Sequence, residues 1–262
     1  MKKAEILKKA YVERDVSWMY FNHRILQEAC KKQVPLLDRL SFLGIYSNNL
    51  DEFFRVRVAS LNRMLAGDTS REQAKQIKKT LKAIISLNES YAREYTAAVA
   101  EVFHALKQHK IRLLTEHELN AEQKDFLTRF FYDTLNGAIN PLWLNELDDL
   151  SVLEDNRIYL VVEMAEVPRP ESAPVEENAP KRRALRKKYA LLQVPDRTYG
   201  RWVQVPSSEG FSNIMYLDDV IRFCLPFVFL GFKGCYGYRA YSFKFTKDAE
   251  MEFDADADFS PL

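Results

Sequence analysis

The strongest constraint on this fold is what the first hundred residues lack. They hold a single proline, Pro35, and two glycines, Gly44 and Gly67. A chain with so few breakers, and with apolar residues recurring every three or four positions, must fold as packed helices. Asp15 or Ser17 is placed to cap a first helix whose apolar stripe is Trp18, Phe21, Ile25, Leu26, Ala29 and Cys30. Pro35 opens a second helix carrying Leu36, Leu37, Leu40 and Leu43. The stretch "FLGIYSNNLDEFFRVRVASL" then sets Asn48 and Asn49 between apolar runs. It is expected to turn a corner there and to start a third helix near Leu50, with Phe53, Phe54, Val58 and Leu61 inward. After "AGDTS", Asp68, Thr69 or Ser70 caps a long fourth helix that reaches about His109.

The character changes after Ile111. "NAEQKDFLTRFFYDTLNG" is one more amphipathic helix. "RIYLVVEM" (157–164), "KYALLQV" (188–194) and "RWVQV" (201–205) are rich in branched and aromatic residues and are predicted strands. "DDVIRFCLPFVF" returns to helix, and "GYRAYSFKFT" alternates as a strand. Between the first two strands lies a proline-rich run, acidic and then basic, expected to be a mobile insertion near residues 166–187 across which those strands pair. The fold class is therefore α+β: an N-terminal α-helical bundle (1–109) followed by a mixed α+β domain (110–262). The abrupt end at "FDADADFSPL" reads as a domain left incomplete.

With a formal net charge of +1, the whole chain would not be drawn to nucleic acid. Cys30, Cys224 and Cys235 are sparse and form no CxxC, which suits a reducing cytosol and offers no zinc spacing. No apolar run is long enough to span a bilayer, so a cytoplasmic location is expected, with contact at a membrane surface left open.

The candidate chemistry is concentrated near Asn49. Asn49 and Glu52 have capping-box spacing. Asp51 and Glu52 would favour the positive end of a helix starting there. Arg55 and Arg57 would pair with them or with a neighbouring domain. None of His23, His104, His109 and His117 sits in a motif that supplies the partner carboxylate and nearby cations a nucleophilic histidine needs. "GFKGCYG" lacks the ending of a phosphate loop, and "KRRALRKK" reads as a solvated tether, with contact to a polyanion or an anionic membrane as the alternative.

The combination "RDVSWMYFNHRILQEA" and "VPLLDRLSFLGIYSNNLDEFFRVRVASL" resembles the start of the long, histidine-phosphorylated polyphosphate kinases. "INPLWLN", "YALLQVP", "LDDVIRFCL" and "AYSFKFTKDAE" follow in the order of that family's next domain. The resemblance implies an ATP:polyphosphate phosphotransferase that is reversible and works through a phosphohistidine outside this chain. It further implies ATP as substrate, Mg²⁺ bound outside this chain, further C-terminal domains, and a homodimer when intact. The resemblance maps one residue, Asn49, to the nucleotide; no catalytic or metal-binding residue is expected here, and the fragment alone should be inactive. The alternative is a non-catalytic interaction module that retains the family's N-terminal fold.

Overall fold

The computed structural model describes residues 11–147, 149–165, 187–207, 210–231 and 237–248. The expected insertion near 166–187, Cys235 and the terminal acidic run fall almost wholly outside them. The described chain divides into two compact units. One runs to His109 and includes Lys247 and Asp248; the other is Lys110–Thr246.

The first unit is helical. Helix α1 (Arg14–Cys30) is capped by Glu13, whose carboxylate accepts from the backbone N–H of Asp15 and Val16 at 2.9 and 3.0 Å. Neither Asp15 nor Ser17 serves as the cap. The buried face of α1 is Asp15, Met19, Asn22, Leu26 and Ala29, while Phe21 is 58% exposed. The stripe expected from hydrophobicity was therefore rotated. Two polar residues occupy core-facing positions because partners distant in sequence satisfy them.

Helix α2 (Leu36–Phe53) passes straight through the expected corner at Asn48 and Asn49. It continues into one π-helical turn, Phe54–Val58, in which the Ala59 N–H reaches back to the Phe54 carbonyl, and then into α3 (Ala59–Ala66). No helix starts near Leu50, so Asn49 and Glu52 form no capping box, and Asp51 and Glu52 cannot neutralise a helix N-terminus. The reason is local: asparagine is only a weak helix breaker, and packing overrides a few tenths of a kilocalorie of propensity. Reciprocal capping boxes stand instead at Ser70–Gln73, opening α4 (Arg71–Gln108), and at Asn120–Gln123. Helix α4 is 38 residues long and buries Ile77, Ile84, Tyr91, Ala98, Val102 and Leu106. It keeps its length because the other helices cover that face rather than because of intrinsic propensity.

The second unit holds two sheets. Strand β1 (Ile111–Leu114) runs parallel to β6 (Ser212–Tyr216), which pairs antiparallel with β5 (Trp202–Val205). The other sheet, in the order β2-β4-β3-β7, joins β2 (Leu142–Trp143), β3 (Arg157–Ala165), β4 (Lys187–Gln193) and β7 (Gly237–Phe245), all antiparallel. Strands β3 and β4 pair with Val162 opposite Ala190, across the expected insertion.

Strand β3 reads as a near-continuous apolar run because both its faces are covered. Leu160, Val162 and Met164 enter the main core with Leu127, Phe131, Ile221 and Phe229; Tyr159 packs on the other side with Leu153 and Leu191. Helix α5 (Ala121–Phe130), extended by a π turn at Phe131–Leu135, and helix α7 (Leu217–Val228) supply the helical side of that core. A short helix, α6 (Asp196–Tyr199), links β4 to β5. Sequence periodicity missed β1, β2 and β6, each of five residues or fewer, too short to show an alternation.

Candidate functional site

The residues that line the cleft between α1 and the α2–π segment are spaced by helical geometry. Asn49, Glu52, Phe53, Val56 and Arg57 recur at i, i+3, i+4, i+7 and i+8, and Trp18 and Phe21 at i and i+3 on α1 face them. The cleft has a volume of about 420 Å³. Its floor is rigid. The Trp18 and Phe53 rings stack with centroids 4.1 Å apart and planes 4° from parallel.

The Asn49 amide is half-buried and oriented from below. Its Nδ2 donates to Asn22 Oδ1 at 3.2 Å, and Asn22 Nδ2 donates to the Tyr46 carbonyl at 3.1 Å. Asn22 is 1% exposed, so this relay satisfies a buried amide and holds Asn49 in one rotamer. Among the described residues no hydrogen bond engages the Asn49 carbonyl oxygen. The remaining lone pairs and the second amide hydrogen offer an acceptor and a donor side by side.

Arg57 does not pair with Asp51 or Glu52. It forks onto Asp15, Nε to Oδ1 and Nη2 to Oδ2, both at 3.0 Å. Asp15 lies at the start of α1, and the extra residue of the π turn carries Arg57 across to it. No hydrophobicity pattern predicts such a pair; an acidic residue spaced with the apolar stripe of α1 was the only available sign.

The histidines have separate settings. His23 stacks on Tyr91 at 3.9 Å and meets Glu94 Oε2 at 2.6 Å, joining α1 to α4. His104 approaches Gln108 at 3.3 Å, His109 caps the end of α4, and exposed His117 lies 3.4 Å from Glu116. Among the described residues no three of His, Cys, Asp and Glu come together as a metal site. No helix among them is long and apolar enough to cross a membrane.

The second unit carries a tight ionic cluster at the start of α7. Asp218 meets Arg201 Nη1 at 2.6 Å and accepts from Ser242 Oγ at 2.7 Å, and Asp219 pairs with Arg222. Burial, reinforced by the neighbouring Asp218 and opposed by Arg222, pushes the Asp219 carboxyl up to about 6. The cluster ties α7 to β7 and to the segment entering β5, which is a structural task.

A helical unit with a cleft lined by Asn49, followed by a two-sheet α+β unit, defines a two-domain chain. Residues 11–114 match the polyphosphate kinase N-terminal domain, and residues 122–261 match the polyphosphate kinase middle domain. The chain belongs to the polyphosphate kinase family. It is 33% identical over 261 residues to the polyphosphate kinase of Vibrio parahaemolyticus serotype O3:K6, covering 97% of this chain and 34% of that relative. Against the polyphosphate kinase of Escherichia coli strain K12 the identity is 33% over 247 residues, covering 93% and 33%. The crystal structure of polyphosphate kinase from Porphyromonas gingivalis matches with a TM-score of 0.72 at 30% identity, covering 91% of this chain and 33% of that one. The chain thus spans about a third of the length of these relatives.

Proposed function

We propose that this chain supplies the N-terminal and middle domains of an ATP:polyphosphate phosphotransferase, which moves the γ-phosphoryl of ATP reversibly onto polyphosphate through a phosphohistidine carried outside these residues. In this reading the α1–α2 cleft walls one side of the nucleotide site, and Asn49 meets the base. The observation that carries it is the oriented amide at the cleft, held by Asn22 beside the stacked Trp18–Phe53 floor. Groups that neutralise phosphoryl charge, and the Mg²⁺ that accompanies ATP, belong to other parts of the intact protein, because phosphoryl transfer needs cations and metal at the γ-phosphate. These residues alone are inactive in transfer, act in the cytoplasm, and contribute contacts to a dimer.

The test is polyphosphate synthesis by the intact gene product, wild type against Asn49→Ala. The KM for ATP should rise about 3- to 10-fold, the worth of one neutral hydrogen bond, with little change in kcat. An unchanged KM would return Asn49 to a purely structural role. An intact product that makes no polyphosphate would leave the chain as an interaction module that kept the family's fold.

A further inference from the structure

The chain as a whole is nearly neutral, at +1, yet residues 71–82 of α4, "REQAKQIKKTLK", carry five cations and one carboxylate. At 100° per residue Arg71, Lys75, Lys78 and Lys82 fall in one narrow stripe, with Lys79 on its flank. That stripe lies opposite the buried positions Ile77, Thr80 and Ile84, and all five cations are exposed. A shallow hollow of about 620 Å³ runs along it, lined by Arg71, Glu72, Ala74, Lys75 and Lys78.

About half of the described arginines elsewhere and two lysines have carboxylate partners, among them Arg39 with Glu101, Arg57 with Asp15, Arg157 with Glu154, Lys187 with Glu163 and Arg222 with Asp219. The five on α4 have no ion pair among the described residues. Like charges at i, i+4 destabilise a helix by a few tenths of a kcal/mol each. Here that cost is left standing over three turns, about 16 Å of helix.

We propose that this stripe is a docking track for the distal part of a polyphosphate chain, an inference that rests on the function proposed above. The chemistry favours that polyanion over others. A single-stranded nucleic acid would call for aromatic platforms between the cations, and none lies on this face between Arg71 and Lys82. A lipid surface would call for a continuous apolar ridge beside them, whereas on α4 the one large exposed hydrophobic is Ile85, 51% exposed, at the end of the stripe. Polyphosphate offers only repeating charge, and lysine ammonium groups on flexible stems bind repeating charge without fixing its register.

The experiment measures binding of fluorescently labelled long-chain polyphosphate to the 262-residue chain by anisotropy at several salt concentrations. Wild type is compared with K75E/K78E/K82E and with K75Q/K78Q/K82Q, whose folding is checked by circular dichroism. The Glu variant should bind at least ~10-fold more weakly. The Gln variant should lie between, with a salt slope shallower by about 2, from roughly 0.7 per phosphate no longer neutralised. If the Glu variant does not fold, the Gln variant decides by affinity and slope. Unchanged affinity in a folded variant overturns the inference, as does binding of duplex DNA as tightly as polyphosphate at the same ionic strength. In the intact gene product the Gln variant should raise the KM for long chains while leaving those for ATP and tripolyphosphate alone. Failure of the wild-type product to make polyphosphate would sink the functional reading, whereas wild-type-like long-chain binding by the variants sinks only the track.

Discussion

Arg57 holds Asp15 through two parallel N–H···O bonds of 3.0 Å, closing the start of α1 onto the π turn 42 residues later. The carboxylate is 4% exposed, whereas the guanidinium side chain is about a third exposed. The pair therefore has one end that cannot recover its solvation if the other is removed.

Arg57→Ala should destabilise the helical unit by about 2–3 kcal/mol, toward the low end for a broken buried pair because the arginine is part-exposed. Arg57→Lys should recover only part of that, since an ammonium cannot fork onto both oxygens. Denaturant midpoints at constant m-value would show it; equal midpoints for wild type and Arg57→Ala would mean the pair is energetically idle.

Asn22 separates structure from ligand binding at the cleft. Asn22→Ala removes the bond to the Tyr46 carbonyl and the acceptor that orients Asn49. It should cost about 1–3 kcal/mol in stability, the penalty of a buried polar group left unpaired, and should raise the KM for ATP of the intact product as well. Asn49→Ala should raise KM with a smaller stability loss. Equal stability losses in the two variants would place both amides in the core alone.

Asp219 predicts a pH effect of definite sign. The folded chain holds its proton up to about pH 6, against an ordinary value of 3.8. Between those values the folded state binds more protons than the unfolded one, so stability falls as pH rises through the window. The loss is on the order of 2–3 kcal/mol, from about 1.4 kcal/mol for each unit. Asp219→Asn should flatten the slope between pH 4 and pH 6.5 relative to wild type, measured by urea unfolding; parallel profiles would show that Asp219 is ionised throughout.

Cys224 is fully buried, and burial pushes its thiol up to about 12. In the native chain its alkylation at pH 8 should be limited by opening of the α7 core, while Cys30, only half-buried, should label faster. Peptide mass spectrometry after timed iodoacetamide labelling checks this. Comparable rates at the two positions would contradict the packing around α7.

Much of the fold was legible because its signals are local. The scarcity of breakers before residue 109 gave the helices, the cap candidates Asp68, Thr69 and Ser70 gave the start of α4, with Ser70 the one the structure selects, and the apolar runs gave β3, β4 and β7. The cleft-lining positions at 49, 52, 53, 56 and 57 also follow from helical spacing once the helix is known to be continuous. That continuity was not legible. Two asparagines followed by two acids look like a helix start, and only the packing of α2 against α1 and α4 keeps the chain helical through them.

By itself, then, the sequence determined where helices and the long strands lie and which family the chain joins, since periodicity, breakers and fixed residue spacings are written along the chain. Only the tertiary structure decided that Asp15 and Asn22 belong to the core face of α1, that β1 lies parallel to β6 a hundred residues on, and that Asn49 is an oriented amide rather than a cap. A polar side chain can be buried only where a partner satisfies it. Here those partners, Arg57, the Tyr46 carbonyl and Asn49, come from other turns of the bundle, beyond the reach of any local pattern.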